Sequence, residues 1–232
     1  MNYKNLVFLG TSHIAKQSLE EVKEHISKEK PGIIALELDK KRLYALMQKH
    51  RKFGLGMVRK IGIKGFLFSL LGAWAERKLG KLVGVAPGSE MKLAVRLAKK
   101  NNLKTALIDQ DIEITLKRLS KALTWKEKRN FVVDVIKAFF AGKKELDFDL
   151  RTVPSNKVIK KLVVKLKERY PNVYKVLIEE RNAVIASNLK KLMNSHSNKK
   201  ILVILGAGHV EDVLELIKIK EEPNVSFTFS AG

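Results

Sequence analysis

The residues with chemical potential in this 232-residue chain stand at the ends of apolar runs. Gly10-Thr11-Ser12-His13 follows Leu6-Val7-Phe8-Leu9, and Gly206-Ala207-Gly208-His209 follows Ile201-Leu202-Val203-Ile204-Leu205. Both have the spacing Gly-x-x-His. A glycine at a strand end permits a tight turn, and a histidine just beyond that turn can project back over the sheet edge. Two further runs end in acids: Ile33-Ile34-Ala35-Leu36 in Glu37-Leu38-Asp39, and Leu103 to Ile108 in Asp109-Gln110-Asp111. Two histidines and a carboxylate make a His/His/Glu donor set of the type catalytic zinc sites use. Nitrogen and oxygen donors in a chain without Cys suit Zn, Mn, Co or Fe(II) over soft metals. Such an ion would acidify a water and polarise a carbonyl. The same residues allow a plainer reading. Gly206-Ala207-Gly208 could open a helix whose backbone N–H groups hold phosphate, although Glu211 stands where a dinucleotide fingerprint has its third glycine. Ser12 lacks the Gly-x-Ser-x-Gly elbow of a nucleophile.

The elements that must position these residues follow from periodicity. The four apolar runs read as buried strands. Ser18 to Lys28, with Leu19, Val22 and Ile26 at helical spacing, lies between the first two and ends at Pro31-Gly32. Strand, helix, strand predicts a βαβ unit and a parallel pair. Lys40 to Lys52 and a segment opening at Pro87-Gly88-Ser89-Glu90, with Ser89 as its cap, read as helices. The Gly-spaced stretch Phe53 to Val85 does not resemble a rigid helix. Ile112 to Ala141 reads as helices broken near Thr124, followed by helices over Lys157 to Arg169 and Val173 to Asn194, and Val225 to Phe229 reads as a last strand. In a parallel sheet all four polar sets would lie beyond the carboxyl ends of the strands, where open α/β sheets bind ligands. The expectation is an α/β fold with a mixed or mostly parallel central sheet of about five strands and large helical insertions. It forms a single domain over 1–232, with a basic helical insertion at about 40–87 and a second helical region at about 112–198.

Composition narrows the classes. Hydrophobic residues make up 45% of the chain, which excludes a disordered protein. The absence of Cys excludes disulfides, a thiolate nucleophile and thiolate metal sites. No signal peptide or run of membrane-spanning length is visible, so the expected location is cytoplasmic. The net charge of +22 is uneven: residues 40–104 hold 17 basic and two acidic side chains, a surplus of 15. That asymmetry points to an anionic partner. An anionic membrane surface would take Phe66-Leu67-Phe68, Leu70-Leu71 and Trp74 into its interface between basic residues, with peripheral attachment as the result. A homodimer interface or an internal helical hairpin explains the same residues. Nucleic acid is disfavoured, because no recognition motif or stacking aromatic set accompanies the charge.

Six motifs then occur in order: Gly10-Thr11-Ser12-His13; Glu37-Leu38-Asp39 with Arg42; Gly88-Ser89-Glu90-Met91; Asp109-Gln110-Asp111 with Thr115-Leu116 and Arg118; Glu180-Arg181-Asn182; and Gly206-Ala207-Gly208-His209-Val210. Together they resemble the TraB/PrgY family of pheromone-shutdown proteins, related to the Tiki metalloproteases and more distantly to the erythromycin-esterase and ChaN-like fold. The resemblance implies a metal-dependent hydrolase acting on peptides, with His13, Glu37 and His209 holding a divalent ion, Mn, Co or Zn. It further implies catalytic roles for Glu90 or Glu180 as general base and for Arg181 at the oxyanion or a peptide carboxylate. Arg42, Asp109, Asp111 and Arg118 would orient ligands or hold substrate. No organic cofactor is implied. The alternative is a non-catalytic peptide-binding or regulatory protein.

This sequence departs from the family pattern at Gln110, where an arginine is usual, at Asn182, where an aspartate is usual, and at Val210-Glu211-Asp212-Val213, where many relatives have a glycine. Relatives often carry C-terminal membrane spans; the sequence reaches Gly232 without one, as a soluble member or a trimmed piece would.

Overall fold

The computed structural model describes residues 1–11, 16–48, 88–140 and 156–219. Their centre is a five-stranded mixed sheet in the order β1-β2-β5-β3-β4. β1 (Asn2–Tyr3) pairs antiparallel with β2 (Leu6–Thr11). β2, β5 (Ile201–Gly206), β3 (Ile33–Leu36) and β4 (Lys104–Leu107) run parallel, with Leu6 and Ile33 both opposite Ile201 and Leu36 opposite Ile204. β2, β3 and β5 are almost wholly apolar because helices cover both faces of the sheet. On one face Val7, Leu9, Ile34, Leu36, Leu202 and Ile204 pack with α1 (Lys16–Glu29) and α3 (Ser89–Lys100). On the other, Leu6, Phe8, Ile33, Ala35, Ile201, Val203 and Leu205 pack with α8 (Glu180–Ser195) and α9 (Val210–Lys218).

The helices that feed parallel strands run back along the sheet, so they begin at the edge where the strands end. α1 leads into β3, α3 into β4 and α8 into β5. Their first turns therefore lie at the carboxyl edge of the sheet, beside the polar strand ends. Asp39 caps α2 (Lys40–Met47) by accepting from the N–H groups of Lys41 and Arg42. Asp111 caps α4 (Ile112–Ala122) by accepting from Glu113 N–H at 2.7 Å. The break expected near Thr124 is present: α5 (Trp125–Phe140) opens on a capping box, in which Thr124 N–H donates to Glu127 and Glu127 N–H donates to the Thr124 hydroxyl. Glu127 also accepts from Asn172 N–H at 2.8 Å, so one carboxylate caps α5 and α7 (Pro171–Tyr174) together. Burial pushes its carboxyl up, but the hydrogen bonds from Thr124 and Asn172 outweigh that and hold it below its ordinary value. α6 (Asn156–Arg169) precedes α7, and a π turn, Lys175–Glu179, links α7 to α8.

The expected fold class is the observed one, with three differences in detail. β1 was not expected, since Asn2-Tyr3 offers no apolar alternation. The cap of α3 is Gly88, not Ser89; Gly88 adopts φ +76°, a left-handed angle that suits glycine, and the helix starts one residue early. The segment Val173 to Asn194 is not one regular helix but contains the π turn. The expected strand Val225 to Phe229, His13, and the Gly-spaced stretch Phe53 to Val85 lie outside the described residues. Among the described residues no helix is long and apolar enough to cross a membrane.

Candidate functional site

Strand register brings the polar motifs together. Side chains alternate along β3, with Ile33 and Ala35 on the α8 side and Ile34 and Leu36 on the α1 side. Glu37 continues that alternation onto the α8 side, one residue beyond the strand. Its Oε2 accepts from Gly206 N–H at 2.6 Å, and its Oε1 accepts from Arg181 Nη2 at 2.5 Å. Gly206 ends β5, and the turn after it rises against β2. A Cβ on Gly10 would lie 3.2 Å from Ala207 Cα and from Val210 Cγ2, so the close approach of the end of β2 to the turn after β5 depends on that glycine. Ala207 N–H donates to Thr11 O at 2.9 Å and fixes the same approach.

Arg181 is the hub. It donates through Nε to Asp109 Oδ1 at 3.0 Å, through Nη2 to Asp109 Oδ2 at 2.7 Å, and through Nη1 to the Leu177 carbonyl at 3.2 Å. Burial alone would push the guanidinium down, but Glu37 and Asp109 outweigh it and hold Arg181 well above its ordinary value. Arg42 pairs with Asp109 from the other side, and Gln110 N–H donates to Asp109 Oδ1 at 2.7 Å. Two carboxylates and two guanidiniums thus balance one another in a chain, Arg42–Asp109–Arg181–Glu37, that is buried except at its half-exposed Arg42 end.

His209 completes the cluster. Its Nε2 lies 3.6 Å from Glu37 Oε1, and its Nδ1 lies 2.5 Å from Asn182 Oδ1. Asn182 Nδ2 donates to Asp212 Oδ2 at 3.1 Å. Burial pushes the Asp212 carboxyl up; Glu215 adds to that and His209 opposes it. Glu37, Asp109, Asn182 and His209 are all buried.

Other expected site residues lie around this core with partners of their own. Glu180 is paired by both guanidinium arms of Arg118, which holds its carboxyl below the ordinary value. Glu90 is buried in the first turn of α3, on the sheet face opposite α8. Asp111 joins Lys41 at 2.8 Å while capping α4, and the Lys41 hydrogen bond is the main cause of its lowered carboxyl. Gln110 donates to Thr115 Oγ1 at 2.9 Å. Asp212 escaped the sequence reading, although its place three residues after His209 puts it over the same helix start.

The donors fit a divalent ion in part. Neighbouring ligands in a tetrahedral site with bonds of 2.1 Å lie about 3.4 Å apart, close to the 3.6 Å between His209 Nε2 and Glu37 Oε1. One nitrogen and one oxygen suit a borderline metal, and Asn182 on Nδ1 is the kind of outer partner that orients a ligating histidine. Against this, Glu37 already serves Arg181 and Gly206. Among the described residues no group of three or more His, Asp or Glu side chains is arranged to hold one ion. A third donor would have to be His13, which is not among them.

A mostly parallel α/β sheet with its candidate site at the carboxyl ends of the strands is the class defined by this geometry. The sequence profile of the TraB/PrgY/gumN family matches residues 2–227, and the chain belongs to that family. It is 36% identical over 230 residues to an uncharacterized protein of Methanocaldococcus jannaschii, MJ1365, a match covering 97% of this chain and 56% of that protein. The chain therefore spans about half the length of the curated relative it matches.

Proposed function

We propose that the chain is a metal-dependent hydrolase acting on peptides, with His13, Glu37 and His209 as ligands. The observation that carries this reading is the facing pair His209 Nε2 and Glu37 Oε1, 3.6 Å apart at the carboxyl edge of the sheet, with the imidazole held from behind by Asn182. A divalent ion bound there supplies Lewis acidity towards a peptide carbonyl and an acidified water. The protein's own groups do the rest. Arg181 and Gly206 N–H orient Glu37, and Asp109 and Arg42 hold Arg181 in place. Glu180 or Glu90 would accept the proton; Glu180 could do so only when Arg118 releases it, since a paired carboxylate of lowered pKa is a weak base, and Glu90 only by reaching round the sheet edge from the α3 face. Arg181 contacts a substrate carboxylate or oxyanion only by giving up one of its present partners.

That engagement supports a second reading. A site whose charges already balance suits a peptide-binding or regulatory protein without chemistry. The two readings part in one experiment. Short unstructured peptides are incubated with the full chain and Mn²⁺, Co²⁺ or Zn²⁺ in turn, while metal content and cleavage are measured together. The hydrolase reading expects His209→Ala to lose metal and cleavage together. It expects Glu180→Gln or Glu90→Gln to keep metal while turnover falls by roughly 10²–10⁴-fold for whichever is the base. Wild type that cleaves nothing with any metal, yet binds peptide as well as His209→Ala does, gives the site to the second reading.

A further inference from the structure

We infer that Asp212 is a positioning residue that, through Asn182, fixes the tautomer of His209. The argument runs along two hydrogen bonds. An aspartate carboxylate only accepts, so the 3.1 Å contact between Asp212 Oδ2 and Asn182 must use the amide N–H of Asn182. This orients the amide with its oxygen towards His209, 2.5 Å from Nδ1. An amide oxygen only accepts, so Nδ1 must carry the proton. In the neutral ring Nε2 is then the nitrogen with the lone pair, and it is the one turned towards Glu37 at 3.6 Å. The inner bond is shielded from competing water, since Asn182 is 2% and His209 7% exposed, while the outer one is half-buried at Asp212. Without Asp212 the Asn182 amide could turn over, present N–H to Nδ1 and move the imidazole proton to Nε2. That would block the face a metal or a substrate proton has to use. The inference deepens the hydrolase reading and rests on it only for the use made of Nε2.

The test reads the tautomer directly in the metal-free full chain. Long-range proton–nitrogen correlation spectra of ¹⁵N-histidine-labelled protein are recorded at about pH 9, above the ordinary imidazole range. His209 is assigned by its loss in His209→Gln. Wild type should show the proton on Nδ1, the less populated form of free histidine in water. Asp212→Ala should give a mixed or Nε2-protonated ring. Adding Asn182→Asp to Asp212→Ala should restore the Nδ1 proton, because a carboxylate at 182 can only accept. A role of Asp212 in packing alone predicts no such rescue. Zn²⁺ affinity, measured by competition with a chelator, should weaken by roughly 10–100-fold in Asp212→Ala and recover in the double variant. An Nε2 proton in wild type, or a tautomer unchanged in Asp212→Ala, overturns the inference. The wild-type spectrum decides even if a variant fails to fold. The expected tautomers in protein that binds none of Mn²⁺, Co²⁺ or Zn²⁺ would uphold the inference and remove the hydrolase reading.

Discussion

Replacing Arg181 by methionine tests whether the buried charge chain holds the site together. The guanidinium is 13% exposed on its side chain and, besides its bond to the Leu177 carbonyl, makes three bonds to carboxylates, one to Glu37 and two to Asp109. Methionine keeps an apolar stem and loses all three. Asp109 retains Arg42 and the Gln110 N–H. Glu37, 2% exposed, retains the Gly206 N–H but loses its guanidinium. Breaking a buried pair costs about 3–5 kcal/mol. Because Arg42 still compensates Asp109, the expected loss is in the lower part of that range, about 3–4 kcal/mol. For a chain of this size the melting temperature should fall by roughly 6–16 °C. Urea unfolding at neutral pH should show a lower midpoint and an unchanged slope.

Two further variants check the cause. Arg181→Met with Glu37→Gln should be more stable than Arg181→Met alone by about 1–3 kcal/mol, because the orphaned charge is gone. Arg181→Lys should fall between wild type and Arg181→Met, since one ammonium cannot span both carboxylates as a guanidinium does. The deficit of Arg181→Met should also narrow as pH falls towards the carboxylate range. The folded variant then takes up a proton on a buried acid more readily than the unfolded chain does, and stability falls with rising pH wherever the folded state binds more protons. A loss below about 1 kcal/mol, or a double variant no more stable than the single one, refutes the reasoning.

Two other predictions address the periphery. Arg169 and Tyr170 hold the Asp134 carboxyl down at about 2, so its contribution is present above the ordinary value of 3.8 and is lost as pH falls through about 2. With Asp134 35% exposed on its side chain, Asp134→Asn should cost only about 0.5–1 kcal/mol at neutral pH, less at high salt, and nothing in strong acid. Thermal melts across pH read this out, and a deficit that persists in strong acid would mean the pair is not its source. If the basic stretch docks on lipid, vesicles containing phosphatidylserine should bind the chain in a salt-sensitive way. Neutralising Arg59, Lys60 and Lys64 should weaken that binding further, whereas binding indifferent to salt counts against the lipid surface.

What the sequence made legible was the convergence, and what it concealed was the wiring. Apolar runs ending in Glu37, Asp109 and Gly206 announce their own strand ends, and parallel topology then places those ends at one edge. That step needs only periodicity. The links between them do not follow from periodicity. The Arg181 guanidinium reaches Glu37 and Asp109 because α8 packs on the sheet face those two strand ends share, which is a tertiary fact. Asp212 looked like one more acid in an amphipathic helix start, and its meaning depends on Asn182 from another helix. β1 was hidden because two residues carry no pattern, and the π turn because Lys175-Val176-Leu177-Ile178-Glu179 has the composition of ordinary helix. Gly88 displaced Ser89 as a cap because its backbone angle, rather than a side-chain hydrogen bond, starts the helix.

The π turn has a consequence for length variation within the family. Glu180 N–H reaches back five residues to Lys175 O, so the segment holds one residue more than an α-helix closing the same turn. Such an extra residue is absorbed as a local widening, while the helix on each side keeps its facing. Upstream, Val173 packs beside Leu119 and Leu123, against which Val176 at the start of the turn is buried. Downstream, Arg181 and Asn182 stay turned to the sheet edge. The widening thus separates the packing of one helix pair from the aim of the next. A family member one residue shorter between Tyr174 and Arg181 would close the bulge into regular helix, align to this chain with a single gap, and present the same two side chains to the same edge.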